Sequence, residues 1–286
     1  MQVQQLLSYL QANHDKAVSL AALAKVCGYS PFHFQRLCTQ QLGLGPGKLN
    51  ELIRLHRAYH LLLFRRWLSV TDIAFDCGYQ SSDTFSRAFK RVTGYTPQQF
   101  KQGNSHLPSP LQPYLTRWNK ELAMPVNAEF ADNVLIHTLP EIQVCALRHT
   151  GQPARLNNSI QRFIGWRREN KLPPASYRTF NFLHNDPTTV APDAFCFDLA
   201  CERPSRAVLL ADDMRYDTIP AGRYACLKVV GGDSYLESAV NYLTTDFLDA
   251  YNEEMADFPV IVERVTFYPE VPYHQAENHI FLLLSK

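Results

Sequence analysis

Over the first hundred residues, apolar positions recur at the spacing of one helix face. Past residue 134 they gather in short runs of β-branched and aromatic side chains. Ser19-Leu20-Ala21-Ala22-Leu23-Ala24 opens with a serine suited to cap a helix, and Gly28 ends that helix. Ser30-Pro31 starts another, with proline at the first helical position, where its missing N–H costs nothing. Phe34, Leu37, Cys38 and Leu42 then fall on one side and should face a core. A longer helix is predicted from Pro46 to Arg66.

The later runs are Val134–Thr150, Ala194–Ala200, Tyr224–Val230, Val260–Tyr268 and His279–Leu284, which read as strands. Helical stretches near 157–170 and 234–252 lie between them. Segments 141–200 and 222–284 therefore look like two copies of a strand-helix-strand-strand unit. Neither copy could cover its own apolar sheet face, so pairing them makes a domain. Between the two regimes lies Gly103-Asn104-Ser105-His106-Leu107-Pro108-Ser109-Pro110, a linker composition. The expected organisation is a helical domain over 1–107, a linker over 108–129 and an α+β domain over 130–286.

Charge sharpens this division. Residues 1–107 hold 12 Lys and Arg against 5 Asp and Glu, and the remainder holds 16 against 22. A basic head on an acidic body suggests a polyanion as partner of the head. No apolar run reaches the roughly 18 residues of a membrane span, and no export signal is visible at the start, so a cytoplasmic location is expected. The seven cysteines have no C-x-x-C spacing and are expected to be reduced and mostly buried, with no metal and no cofactor. There is no Gly-rich phosphate loop, G-x-S-x-G or H-E-x-x-H, so an enzyme is not expected.

The helical region repeats internally. Leu23-Ala24-Lys25-Val26-Cys27-Gly28-Tyr29 aligns with Ile73-Ala74-Phe75-Asp76-Cys77-Gly78-Tyr79, and after a one-residue insertion Phe34, Arg36, Gly43 and Pro46 align with Phe85, Arg87, Gly94 and Pro97. Each copy reads as a short helix, a Gly-Tyr turn and a second helix behind a capping serine, the grammar of a helix-turn-helix. A connecting helix of some 20 residues spans roughly 30 Å, close to the roughly 34 Å between successive major-groove segments.

With the inward positions committed, the first recognition helix presents Phe32, His33, Gln35, Arg36, Thr39 and Gln40 outward. Arginine suits guanine, glutamine suits adenine, and phenylalanine suits a thymine methyl. Lys48, Lys90, Arg91 and Lys101 are candidates for phosphate.

These motifs, and Asp72-Ile73-Ala74-Phe75-Asp76-Cys77-Gly78-Tyr79 running on to Phe85-Ser86-Arg87-Ala88-Phe89 and Gly94-Tyr95-Thr96-Pro97 above all, resemble the AraC/XylS family of transcription regulators over about residues 3–102. The resemblance implies seven helices, double-stranded DNA and RNA polymerase as partners, and base reading by Phe32, Gln35 and Arg36 in the first unit. In the second unit it implies Ser82, Asp83, Thr84 and Arg87, with Asp83 a departure from the glutamine often found there.

The second half is similar to the GyrI-like effector-binding domain. The similarity rests on Leu139-Pro140-Glu141-Ile142 through Gly151, on Ile219-Pro220-Ala221-Gly222-Arg223-Tyr224, and on Val260-Ile261-Val262-Glu263-Arg264. Together the halves resemble a Rob-type architecture. This implies two βαββ repeats around a cleft for a small hydrophobic, sometimes cationic, effector, with Glu263 in the cleft. Trp166, Phe180, Phe195, Phe197, Tyr224, Phe267 and Tyr268 are candidates for its aromatic wall. Arg264 or Arg223 could instead pair with Glu263. A protein-interaction module and a weak hydrolase are the alternative readings of this half.

Overall fold

The computed structural model describes residues 12–102, 130–187, 189–231, 233–267 and 275–285, with Leu6, Tyr9, Leu10, Pro110, Tyr114, Glu270 and Val271 as isolated positions. Most of the expected linker, and Tyr268, lie outside the described residues. The chain divides into two compact units, one helical and one built on a sheet. No helix among the described residues is long and apolar enough to cross a membrane.

In the helical unit α1 covers Leu20–Val26, and Ser19 caps it by accepting from the Ala22 N–H at 3.2 Å. α2 is Pro31–Leu37, capped by Ser30, and a π turn over Cys38–Leu42 carries it on to Gly43. α3 is Pro46–Phe64, two residues shorter than expected, because Arg65 leaves helical geometry. α4 is Val70–Asp76, where Ser69 and Asp72 form a reciprocal capping box. α5 is Ser82–Thr93 behind the Ser81 cap, and α6 is Pro97–Gln102. Leu6, Tyr9, Leu10 and Ala12 are also helical.

α3 is the common spine. Its Leu49, Leu52 and Ile53 pack with Leu23, Phe34, Cys38 and Leu42 in one core. Its Leu55 and Leu62 pack with Ile73, Cys77, Phe85 and Phe89 in another. Each helix-turn-helix thus buries its own apolar stripe on a different stretch of one helix.

The second unit holds β1 (Val134–Leu139), β2 (Ile142–Thr150), α7 (Leu156–Glu169), β3 (Thr179–Leu183), β4 (Cys196–Glu202), β5 (Met214–Ile219), β6 (Gly222–Val230), α8 (Asp233–Tyr242), α9 (Leu248–Tyr251), β7 (Val260–Arg264) and β8 (Glu277–Leu283). The expected strand over 134–150 is two strands, broken at Pro140-Glu141, and β3 and β5 are additions to the expected set. The sheet order is β1-β6-β8-β7-β3-β4-β2-β5, with every pairing antiparallel. Exchanging β1–β4 with β5–β8 reproduces this order read backwards.

Alternation along the strands separates two faces. Cys145, Leu147, Leu199 and Cys201 pack under α7 with Phe163 and Trp166. Ala225, Leu227, Val262 and Ile280 pack under α8. The other face carries Val144, Ala146, Phe180, Phe182, Tyr224, Ile261 and Phe281, buried against one another. The described cysteines are all free thiols; Cys38, Cys77, Cys145 and Cys201 are buried, and Cys27, Cys196 and Cys226 only partly.

Candidate functional site

The first recognition helix turns Phe34 and Cys38 inward and leaves Phe32, His33, Gln35 and Arg36 exposed, with Thr39 and Gln40 exposed in the π turn that follows. Phe32 is 89% exposed, which no packing requirement within the helical unit explains. Thr39 donates back to the Gln35 carbonyl at 3.1 Å, so its hydroxyl hydrogen is held locally. In α5 the buried stripe is Phe85, Ala88 and Phe89, while Asp83, Thr84, Arg87, Lys90 and Arg91 are exposed and Ser82 is half-buried. The Thr84 hydroxyl lies 2.9 Å from that of Ser81, within the cap.

The phosphate candidates differ from one another. Lys48 and Arg91 share the carboxylate of Glu51, Lys48 at 2.8 Å. Burial pushes the Glu51 carboxyl up, but the two cations overcome this and hold it below the usual carboxylate range. Lys101 donates to the Leu68 carbonyl at 2.5 Å, and burial lowers its ammonium. That hydrogen bond ties it to the residue before the Ser69 cap of α4. Lys90 stands exposed.

In the sheet unit Glu263 is 8% exposed and lies in register with Phe180 on one side and His279 on the other. Its partner is neither Arg264 nor Arg223. Arg178 Nε and Nη2 donate to its two oxygens at 2.6 and 3.0 Å, and His279 Nδ1 lies 3.4 Å away. The ion pair raises the Arg178 guanidinium above its ordinary value. Arg264, one residue along the strand, points to the other face and donates to Asn181 at 3.0 Å. Arg223 pairs with Glu253.

The expected aromatic wall does not assemble around Glu263. Phe180 does share its face, beneath the Arg178 guanidinium at 4.9 Å. Tyr224 is on that face too, but it is fully buried and its hydroxyl donates to the Pro220 carbonyl at 2.8 Å. Trp166 lies on the helix side, its indole N–H held by the Leu209 carbonyl at 2.8 Å. It lines a separate cavity of about 310 Å³ with Leu147, Arg162, Glu169 and Met214. Phe195 is 4% exposed and packs near His149 and Phe197, whose ring also belongs to the helix side. Phe267 is half-buried in the chain after β7.

A family model for the GyrI-like small molecule binding domain matches residues 132–285, more than half of the chain. The chain belongs to the GyrI-like family. A helix-turn-helix domain model, of AraC type, matches residues 23–103 of this GyrI-like protein. The probable transcriptional regulator YgiV of Escherichia coli (strain K12) is 31% identical over 158 residues, 54% of this chain and 96% of that protein. The HTH-type transcriptional activator RhaS of Escherichia fergusonii is 37% identical over 98 residues, 34% of this chain and 35% of its own length. Among solved structures, the C-terminal domain of AraT, a response regulator from Geobacillus stearothermophilus, is 30% identical, covers 35% of this chain and 83% of that one, and superposes with a TM-score of 0.33. The GyrI-like protein is a DNA-binding transcription regulator with a small-molecule-binding domain.

One cluster in the GyrI-like unit was missed in the sequence. Asp198 is fully buried and accepts from Arg148 Nε and Nη2, each at 2.9 Å, from Arg215 at 2.6 Å and from His184 at 2.8 Å. Burial pushes its carboxyl up, but these three donors win and hold it far below the usual range. A charged residue inside the apolar run Phe195-Cys196-Phe197-Asp198-Leu199-Ala200 was the available signal. His184, Cys196 and Asp198 could offer metal-ligand atoms within 4.8 Å of one another. Three donors from two guanidinium groups and one from His184 fill the carboxylate's roughly four acceptor sites, and the guanidinium charges would repel a cation there.

Proposed function

We propose that residues 1–107 read double-stranded DNA through α2 and α5, that 108–129 link the halves, and that 130–286 form two βαββ repeats binding a small hydrophobic, cationic effector. The DNA reading rests on two capped recognition helices seated on one spine. The 19 residues of α3 correspond to about 28 Å at about 1.5 Å per residue. In this reading Phe32, Gln35, Arg36, Thr39 and Gln40 read one major-groove segment. Ser82, Asp83, Thr84 and Arg87 read the next. Lys90, Arg91 and Lys48 hold the backbone, the last two after leaving Glu51. RNA polymerase is the protein on which such a regulator acts, in the cytoplasm where its DNA lies.

The observation that carries the effector reading is Glu263, a carboxylate 8% exposed on the apolar face beside Phe180. Burying such a charge is costly without a cationic partner. Arg178 fills that role when no effector is bound; an effector with an apolar body and a cationic group would take its place beside Glu263 and Phe180. Trp166 and Phe195 are on the other face and have no part in this site.

Calorimetric titration of the full chain and of Glu263→Gln with a lipophilic cation and a neutral compound of similar size tests this. The substitution should weaken the cation much more than the neutral compound. Equal loss for both, or none for either, counts against the assignment. Product analysis after long incubation should return the compounds unchanged; turnover would favour the hydrolase alternative.

A further inference from the structure

Two components of a cation site lie side by side on the apolar face, the Glu263 carboxylate and the ring of Phe180. One side chain engages both. Arg178 donates to the two Glu263 oxygens at 2.6 and 3.0 Å, and its guanidinium carbon lies 4.9 Å from the Phe180 centroid. The pair is unequally buried. The Arg178 side chain is 42% exposed, whereas that of Glu263 is 10% exposed.

The Arg178 backbone is fixed, because its carbonyl accepts from the Glu202 N–H at 3.0 Å. Leaving Glu263 therefore requires only rotation of a side chain that already reaches water. The carboxylate and the ring would stay where they are.

We infer that Arg178 is a built-in competitor for the effector: its guanidinium fills the cation subsite, and a cationic effector binds by displacing it into solvent. This rests on the reading of the Glu263 face as the effector site. The exchange keeps a cation beside the buried carboxylate before and after binding, so neither state holds an unpaired charge. Departure of Arg178 uncovers the Phe180 ring, which a ligand with an apolar body covers in its place. A neutral ligand completes the exchange less well, since ejecting Arg178 would leave Glu263 with only the long contact to His279 Nδ1 at 3.4 Å among the described residues. The competitor thus selects for charge and also lowers affinity in proportion to its own occupancy of the site.

The test uses the full chain, the variants Arg178→Gln and Arg178→Lys, and calorimetry with tetraphenylphosphonium and its neutral relative triphenylphosphine oxide. Arg178→Gln should bind tetraphenylphosphonium about tenfold more tightly than the unmodified protein. Arg178→Lys keeps the charge but loses the two-pronged contact, so it should fall between them. Triphenylphosphine oxide should gain nothing. Unchanged or weaker binding of the cation by Arg178→Gln overturns the inference, as does an equal gain for the neutral probe, which would mean added room. If Arg178→Gln does not fold, Arg178→Lys decides alone: tighter than unmodified protein supports the inference, and equal or weaker overturns it. If neither the unmodified chain nor the variants bind the cation, the reading of the Glu263 face falls, and this inference with it.

Discussion

Arg54 on α3 lies over the ring of Tyr79 at 4.1 Å, and its Nε and Nη2 donate to the carbonyls of Cys77 and Gly78 at 2.8 and 2.9 Å. A buried guanidinium on the spine thus clamps the turn of the second helix-turn-helix. Arg54→Met keeps the apolar stem and removes the donors, leaving two carbonyls with a lost partner. It should cost roughly 2–4 kcal/mol, read as a lowered urea midpoint for the helical unit. DNA affinity should fall with it, because α5 follows directly from that turn. A midpoint within error of the unmodified protein would show that the clamp is not needed.

Gly28 and Gly78 occupy the same place in the two repeats, with φ of +72° and +71°. Their surroundings differ. A Cβ on Gly28 would meet nothing within 4 Å, whereas one on Gly78 would lie 2.6 Å from the Asp15 carbonyl carbon and 2.7 Å from the Lys16 nitrogen. Gly28→Ala should therefore cost only the left-handed backbone penalty, about 1–2 kcal/mol. Gly78→Ala must in addition push backbone apart and should cost about 1–3 kcal/mol more. Thermal unfolding of the two variants compares them directly; equal losses would refute the close approach.

Arg36 and Lys90 separate base reading from backbone holding. Arg36→Ala should lose roughly 1–3 kcal/mol on the specific site and relax sequence preference there. Lys90→Ala should weaken specific and random DNA alike, lowering the salt slope by about 1. Anisotropy titrations at several salt concentrations distinguish the two. A uniform loss across sequences for Arg36→Ala would remove its assigned role.

The helical unit was legible because its signals are local. Ser19, Ser30, Ser69 and Ser81 cap helices that begin at the next residue, and Gly28 and Gly78 have the positive φ that their turns demand. The sheet unit was less so. β5, Met214–Ile219, is an edge strand whose alternating charges hide its strand character, and β3 is only five residues long. Glu263 stands out in the sequence as a carboxylate among apolar neighbours, but strand alternation turns adjacent Arg264 away. The real partner lies 85 residues off in sequence. Trp166 looked like a cleft aromatic by type alone; only the packing of α7 shows which face of the sheet it covers.

Asp198 offers the sharpest test of electrostatics in the sheet unit. It is fully buried, and its donors come from three separate segments, at Arg148, His184 and Arg215. Asp198→Asn keeps the shape but removes the charge that two guanidinium groups share. Breaking such a pairing should cost roughly 3 kcal/mol near neutral pH, the lower end for a buried pair, because both arginines are partly exposed. Asp217→Asn is the control, since that carboxylate is 33% exposed and its one ion pair among the described residues is with Arg215, beside a hydrogen bond from the Thr218 N–H at 2.8 Å; its loss should stay within about 1 kcal/mol. The pH dependence follows from the depressed carboxyl of Asp198. A group whose folded pKa lies below its unfolded value stabilises the fold above the unfolded value, and that stabilisation is lost as pH falls toward the folded one. The unmodified protein should therefore lose this contribution progressively below about pH 4. Asp198→Asn has none to lose, so the stability gap between the two should narrow as the solution is acidified. Urea unfolding at neutral pH and at successively lower pH measures that gap. A gap that stays constant, or a loss in Asp217→Asn equal to that in Asp198→Asn, would show that Asp198 is not the charge holding this end of the sheet together.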